Sequence, residues 1–147
     1  TNFPNAHLNH SYIQKTVCNF TDVFIANPAY FNLKQQEIPF EELKQYPILM
    51  LDRKSTTSEF LHNLFLQHQL ELVPEIELSS NDLLIDFARI GLGIACVPDY
   101  CVREGNEDLE IIETKEMMPA RQIVASVNPT LPVNAPTESF LDLLPTL

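Results

Sequence analysis

The sequence predicts an α/β fold in which mainly parallel sheets carry helices on their faces. Short, continuous apolar runs of strand length alternate along the chain with longer stretches whose apolar residues fall on one helical face. Continuous apolar runs are typical of parallel strands that are buried on both faces. The 147 residues, 45% of them hydrophobic, suffice for one ordinary domain or for two small lobes.

The first part of the chain predicts one strand, one short helix and a second strand. Residues 1–15 are polar and aperiodic, so we expect a loop there. A strand is expected around Val23–Ile25, ending at the turn signal Asn27-Pro28. "PFEELKQY" predicts a short helix, because a proline suits a helix start and acidic residues follow it. "PILML" predicts a buried strand.

The remaining elements continue the alternation. "STTSEFLHNLFLQHQL" predicts a helix with Thr56 and Glu59 at capping-box spacing, and "EIEL" predicts a strand. "SSNDLLIDFARIGLG" predicts a helix in which Ser79 and Asp82 repeat that spacing and Gly91 takes the left-handed position after the end. The later stretches "GIACV", "LEIIE" and "RQIVASV" predict strands, and "APTESFLDLL" predicts a last short helix.

The charge of the chain limits its partners. Nine basic against 20 acidic residues give a net charge of −11, which argues against contact with nucleic acid or anionic membranes. No apolar run is long enough to span a bilayer. Cys18, Cys96 and Cys101 form an odd set without metal-type spacing, so we interpret them as reduced thiols of a cytoplasmic protein.

The sequence contains no pattern typical of catalysis or of cofactor binding. His62 and His68 are six residues apart and do not share a helical face, so no metal site is predicted. Phosphate-binding glycine motifs and nucleophile motifs are absent. We therefore expect neither an enzyme nor a bound cofactor.

Two strand-to-helix junctions carry similar polar side chains. In a parallel sheet such junctions lie at the carboxyl edge, where ligands collect. Hydroxyls and free backbone N–H groups there suit a carboxylate, phosphate or sulfate, although ordinary helix capping explains the same residues. The candidates are Ser55, Thr56 and Thr57 after "PILML", and Ser79, Ser80 and Asn81 after "EIEL".

The stretch "SSNDLLIDFARIGLGIACVPDY" resembles the effector-binding domain of LysR-type transcriptional regulators. That family shows one or two polar residues, an apolar helix, "GLGIA" or a close variant, and then a proline. "DVFIANPAYF", "PFEELKQYPILML" and "STTSEFLHNLFLQHQL" resemble further family segments and stand in the family's order. The resemblance covers residues 21–144.

The resemblance implies a type-2 periplasmic-binding-protein-like fold with two α/β lobes. Residues 1–26 and 97–147 would form the first lobe, and residues 27–96 the inserted second lobe. Ile25, Ala26, Cys96 and Val97 would act as the hinge between them. A small, anionic inducer would bind in the interlobe cleft against the six candidate residues named above.

The resemblance also implies that this chain is an N-terminally truncated fragment with an incomplete first lobe. Family members begin with a helix-turn-helix and a linker helix, through which DNA would be bound, and their effector domains pair into oligomers. A solute-binding protein of a transport system shares the fold and is the alternative function. Such a protein would show a signal peptide and often paired cysteines.

Overall fold

The computed structural model describes residues 1–6, 8–9, 11–33, 37–102 and 105–145. The chain forms two compact units. Unit 1 contains Thr1–Phe20 and Ala120–Leu147, and unit 2 contains Thr21–Pro119. Each unit has its own sheet.

From residue 22 onward the elements follow the alternation that the sequence predicts. In chain order the elements of the whole chain are β1 (Asn2–Phe3), β2 (Ile13–Phe20), β3 (Asp22–Ala26), α1 (Phe40–Leu43), β4 (Ile48–Leu51), α2 (Thr56–Gln67), β5 (Ile76–Leu78), α3 (Asn81–Arg89), β6 (Ile94–Pro98), β7 (Glu110–Ile112), β8 (Arg121–Val127) and α4 (Ala135–Leu143). A single turn of 3-10 helix, Asp99–Cys101, follows β6.

Unit 2 contains a five-stranded mixed sheet in the order β5-β4-β6-β3-β7. β4 pairs in parallel with β5 and with β6, whereas β3 pairs antiparallel with β6 and with β7. The expectation of mainly parallel pairing therefore holds for β5, β4 and β6. The strand that enters unit 2 runs against its neighbours.

Helices cover both faces of this sheet, and two hydrophobic clusters result. Along β4, Ile48 and Met50 face α1 and α2, whereas Leu49 faces α3. On the first face Phe40 of α1 stacks on Phe65 of α2 at a centroid distance of 4.4 Å. Alternate strand residues thus serve opposite cores, which explains why these strands are continuously apolar.

Both glycines of the "GLG" stretch are required by their surroundings. Gly91 lies in the left-handed region with φ +80°, as predicted, which disfavours any residue with a Cβ. A Cβ on Gly93 would overlap the backbone carbonyl oxygen of Pro47. The backbone conformation therefore requires the first glycine, and close packing of the backbone requires the second.

Unit 1 is a three-stranded antiparallel sheet in the order β1-β8-β2, with α4 as its helix. The guanidinium of Arg121 lies 5.1 Å from the ring centroid of Phe20. α4 has no buried residue, but the Lys15 ammonium donates to the carbonyl oxygens of Leu141 and Leu144, at 2.9 and 3.0 Å.

The loop predicted for residues 1–15 is wrong, since β1 and the start of β2 lie there. β2 pairs with β8 along its whole length, with a bulge between Thr16 and Cys18. This strand lies at the edge of the sheet and most of its side chains are at least partly exposed, so it lacks an apolar pattern.

The predicted lobe boundaries, at residues 26/27 and 96/97, fall inside the sheet of unit 2. They describe lobes of the fold that the resemblance implies, and they stay a prediction.

Candidate functional site

The two predicted junctions lie side by side at one edge of the unit 2 sheet. Leu51, the last residue of β4, is the partner of Leu78, the last residue of β5. Directly beyond β4, the N–H of Asp52 donates to the carbonyl oxygen of Leu78 at 2.9 Å. The polar segments that follow these two strands therefore start from neighbouring points of the sheet.

The α2 junction is built as a helix cap. Lys54 N–H donates to Oδ1 of Asp52, and Ser55 N–H donates to the Asp52 carbonyl oxygen. This turn delivers Ser55 to the N-cap, where its Oγ accepts from the N–H of Ser58 at 3.0 Å. The predicted capping box of Thr56 and Glu59 is thus wrong by one residue. Thr56 is half-buried and Thr57 is only 2% exposed.

The α3 junction is not built as a cap. Ser80 is the N-cap residue, but its side chain makes no capping hydrogen bond, so the predicted pair of Ser79 and Asp82 does not form a capping box. Ser79 is exposed and Ser80 is half-buried. Among the described residues, Oδ1 of Asn81 is a buried acceptor without a hydrogen-bond partner. The first-turn N–H groups of α3 therefore donate no hydrogen bond to the side chain of Ser80.

The two junctions consequently differ in what they can offer a ligand. At α2 the Ser55 hydroxyl already satisfies one backbone donor. At α3 the N-cap hydroxyl, the first-turn N–H groups and one amide oxygen are not joined by a capping bond. A helix start of this kind favours a negatively charged group, while the amide oxygen accepts only from a donor.

Carboxylates gather at the same edge of unit 2. Burial, followed by the charges of Asp82, Asp22 and Asp99, raises the pKa of the Cys101 thiol above its ordinary value of 9.0. Asp22 begins β3 and pairs with Pro98, the last residue of β6, directly before Asp99. Sequence reasoning missed these two aspartates. The signal that could have found them is the topology of the sheet, because β6, the third parallel strand, also ends at this edge.

Unit 2 also contains two cavities, and Asp22 belongs to the lining of the first. One, of about 290 Å³, is lined by Thr21–Phe24 of the β3 region, by 112–114 and by Glu116, Met117 and Met118, with Glu37. The other, of about 440 Å³, is lined by Ile25, Leu109–Ile111 and nearby residues. Neither lining includes any of the six predicted effector-binding residues.

The predicted hinge residues occupy the two central antiparallel strands. Ile25 is the partner of Ala95, and Phe24 is the partner of Cys96, so β3 and β6 run next to each other. Ile25, Ala26, Cys96 and Val97 are all at most 2% exposed. Their role as a hinge stays a prediction.

In the part of the chain that the structure describes, no group of His, Cys, Asp and Glu side chains is arranged to hold a metal ion. Over the same residues, no helix combines the length and apolarity needed to cross a membrane.

Several solved structures of similar fold are regulatory or effector-binding domains. The CcmR regulatory domain of Synechocystis PCC6803, in complex with 2-PG, matches with a TM-score of 0.85 and 20% identity, over 98% of this chain and 69% of that one. The effector-binding domain of QuiR, in complex with shikimate, matches with a TM-score of 0.81 and 11% identity, over 94% and 66%. The CrgA regulatory domain of Neisseria meningitidis, a LysR-type regulator, matches with a TM-score of 0.66 and 21% identity, over 97% and 72%.

The chain thus spans about two thirds of the length of these relatives. No curated protein matches it by sequence. The family model described as the LysR substrate binding domain matches residues 4–146, which is nearly the whole chain. The mixed α/β sheets with flanking helices agree with the type-2 periplasmic-binding-protein-like fold of that family. The chain belongs to the LysR substrate-binding domain family.

Proposed function

We propose that this chain is the effector-sensing domain of a LysR-type transcriptional regulator and that it binds a small molecule. Two structures of the same fold carry small molecules, 2-PG in CcmR and shikimate in QuiR, which supports a small-molecule ligand. Binding would control a DNA-binding helix-turn-helix domain and would take place in the cytoplasm, where that DNA lies.

The proposed effector site on unit 2 is the edge where α2 and α3 begin. The single observation that carries this assignment is the uncapped start of α3, where Ser80 makes no capping bond and Oδ1 of Asn81 lacks a partner among the described residues. Buried polar atoms without partners cost free energy, so they need a reason to be present. A ligand is such a reason.

The effector that fits this edge has an anionic group and a hydrogen-bond donor. The anionic group would accept from the first-turn N–H groups of α3, and the hydroxyls of Ser79 and Ser80 would add to it. A hydroxyl or amino group would donate to Asn81, because an amide oxygen only accepts. The neighbouring Asp82 disfavours a bare, highly charged anion.

The experiment measures ligand affinity and stability in the double variant Ser79→Ala/Asn81→Ala and in the wild type. The first probes are 2-PG and shikimate, within a panel of small hydroxy and amino acids. Each lost hydrogen bond to a charged group is worth roughly 1.5–3 kcal/mol, so affinity should fall at least about tenfold. Ser126→Ala, on β8 of unit 1, is the matched control for removing a hydroxyl. Unchanged affinity with lowered stability would show that these residues are structural.

We further propose that the four hinge residues allow movement and that the domain self-associates. β3 and β6 pair with each other, so the hinge residues of the two strands lie close together, which supports a shared movement. Exposed apolar side chains in unit 1, including Phe140 at 60% and Leu143 at 82%, support self-association. Sedimentation should show an apparent mass that rises with protein concentration, and a monomer at all concentrations would refute the proposed self-association.

A further inference from the structure

The carboxyl end of α3 is held by one arginine with three partners. Arg89 Nε donates to Oδ2 of Asp108 at 2.8 Å, and its Nη1 donates to Oδ1 of Asp86 at 2.6 Å. Its Nη2 donates to Oδ1 of Asn106 at 2.8 Å. The planar guanidinium fixes the directions of all three bonds, which a lysine ammonium cannot reproduce.

This arginine joins segments that are distant in sequence. Asp86 lies on α3 itself, but Asn106 and Asp108 belong to the segment that leads directly into β7. The Asn106 amide also donates to the carbonyl oxygen of Cys101, at 3.3 Å. The half-buried Leu109 packs against the cluster that contains Leu84 and Ala88 of α3. Polar and apolar contacts therefore both tie α3 to the approach to β7.

A second contact ties the same helix end to β3. The Asn27 amide donates to the carbonyl oxygen of Arg89 at 2.7 Å, while Asn27 Oδ1 accepts from Ala29 N–H. Asn27 directly follows the last residue of β3, and β3 is the neighbour of β7 in the sheet. The end of α3 is thus attached to two adjacent strands.

We propose that Arg89 is a positioning residue that couples the start of α3 to β7. The inference rests on the proposed effector site, because that site lies at the opposite end of the same helix. α3 has nine residues, and its buried face is held by the sheet, so it moves as one rigid element. A displacement at Asn81 therefore reaches the Arg89 end, and the three bonds pass it to Asn106 and Asp108. β7 is the edge strand at which that displacement would be detected.

The test uses hydrogen exchange on the ligand-free protein, so it does not depend on the identity of the effector. Asn81→Ala perturbs the start of α3, and it is measured in the wild-type background and in Arg89→Ala. Arg89→Lys keeps the charge without the planar fork. Lys44→Ala is the matched control, since it removes another (i, i+3) ion pair with a half-buried cation, whose Nζ lies 3.2 Å from Oε1 of Glu41.

Arg89→Ala should raise the exchange rates of the Glu110–Ile112 amides roughly three- to tenfold, as expected for a partly exposed ion-pair network. Arg89→Lys should restore only part of the protection, and Lys44→Ala should leave β7 unchanged. Because Asn81→Ala removes a buried acceptor that has no partner among the described residues, it should lower exchange in both α3 and β7 in the wild-type background, but in α3 alone when Arg89 is absent.

Two results would overturn the coupling. One is unchanged β7 exchange in Arg89→Ala, and the other is an equal rise over the whole of unit 2, which indicates general destabilisation. An intact coupling with no effect of Ser79→Ala/Asn81→Ala on ligand binding would instead refute the proposed effector site alone.

Discussion

Ser55→Ala should lower the stability of the protein, whereas Ser80→Ala should leave it nearly unchanged, although both residues are serines at the N-cap of a helix in unit 2. Ser55→Ala removes the acceptor for the N–H of Ser58, now 3.0 Å from Oγ. Ser58 is 0% exposed, so water cannot replace the lost partner. The expected loss of unfolding free energy is about 1–2 kcal/mol, in the upper range for a lost cap.

Ser80→Ala removes no capping bond, so its effect on stability should stay within about 0.5 kcal/mol. Urea denaturation followed by circular dichroism measures both variants against the wild type, with an unchanged slope in denaturant as the sign that only stability differs. In thermal unfolding, 1 kcal/mol corresponds to a shift of about 4 °C for a chain of this size. Ser55→Asp provides the control, because aspartate also caps and should restore most of the stability.

Equal destabilisation by Ser55→Ala and Ser80→Ala would refute this reasoning, since it would mean that Ser80 caps α3 in solution. A neutral Ser55→Ala would refute it as well. The predicted result would show that the α2 start is used for structure and that the hydroxyl at the α3 start is not.

Three further predictions follow from other contacts. Gly93→Ala should destabilise unit 2 by about 2–4 kcal/mol in urea denaturation, because the new Cβ would meet the backbone oxygen of Pro47. Gly105→Ala should cost only about 1 kcal/mol, because nothing lies within 4 Å of a Cβ there. Equal stabilities of these two variants would contradict the prediction. Lys15→Met should increase hydrogen exchange in α4 while the amides of β2 and β8 stay protected, because the Lys15 ammonium holds two carbonyl oxygens near the end of α4. Unchanged protection of the α4 amides in this variant would count against the prediction. The raised pKa of Cys101 should place the midpoint of its maleimide labelling above pH 9.0, and Asp82→Asn should lower that midpoint. The folded state favours the neutral thiol, so the contribution of this thiol to stability is present below pH 9.0 and is lost at higher pH. A midpoint at or below 9.0 would contradict the burial and the acidic surroundings.

The sequence predicted the elements of unit 2 well because each of them has its own local signal. The strands β4 and β6 are buried on both faces and therefore read as continuous apolar runs. α2 and α3 show one apolar face, and the left-handed Gly91 marks the end of α3. In such elements local preference and tertiary packing point to the same structure.

What the sequence did not predict depends on contacts between distant residues. β2 exists because it pairs with β8, more than a hundred residues later, and its own side chains carry little pattern. The cap of α2 moved to Ser55 because the turn at Asp52 sets where the helix begins. The six candidate residues were found by the general rule for strand ends, whereas Asp22 reached the same edge only through an antiparallel pairing that the alternation did not indicate.

The antiparallel position of β3 makes unit 2 a transferable module. β3 enters the sheet next to β7, and Phe24 of β3 is the partner of Ile112 of β7, so the chain arrives and departs at neighbouring strands. Both hydrophobic clusters lie wholly within residues 21–119. A segment with adjacent ends and its own cores can be inserted, excised or exchanged with little disturbance to its host. Exchange between members of the family could therefore replace the whole of unit 2 in a single step.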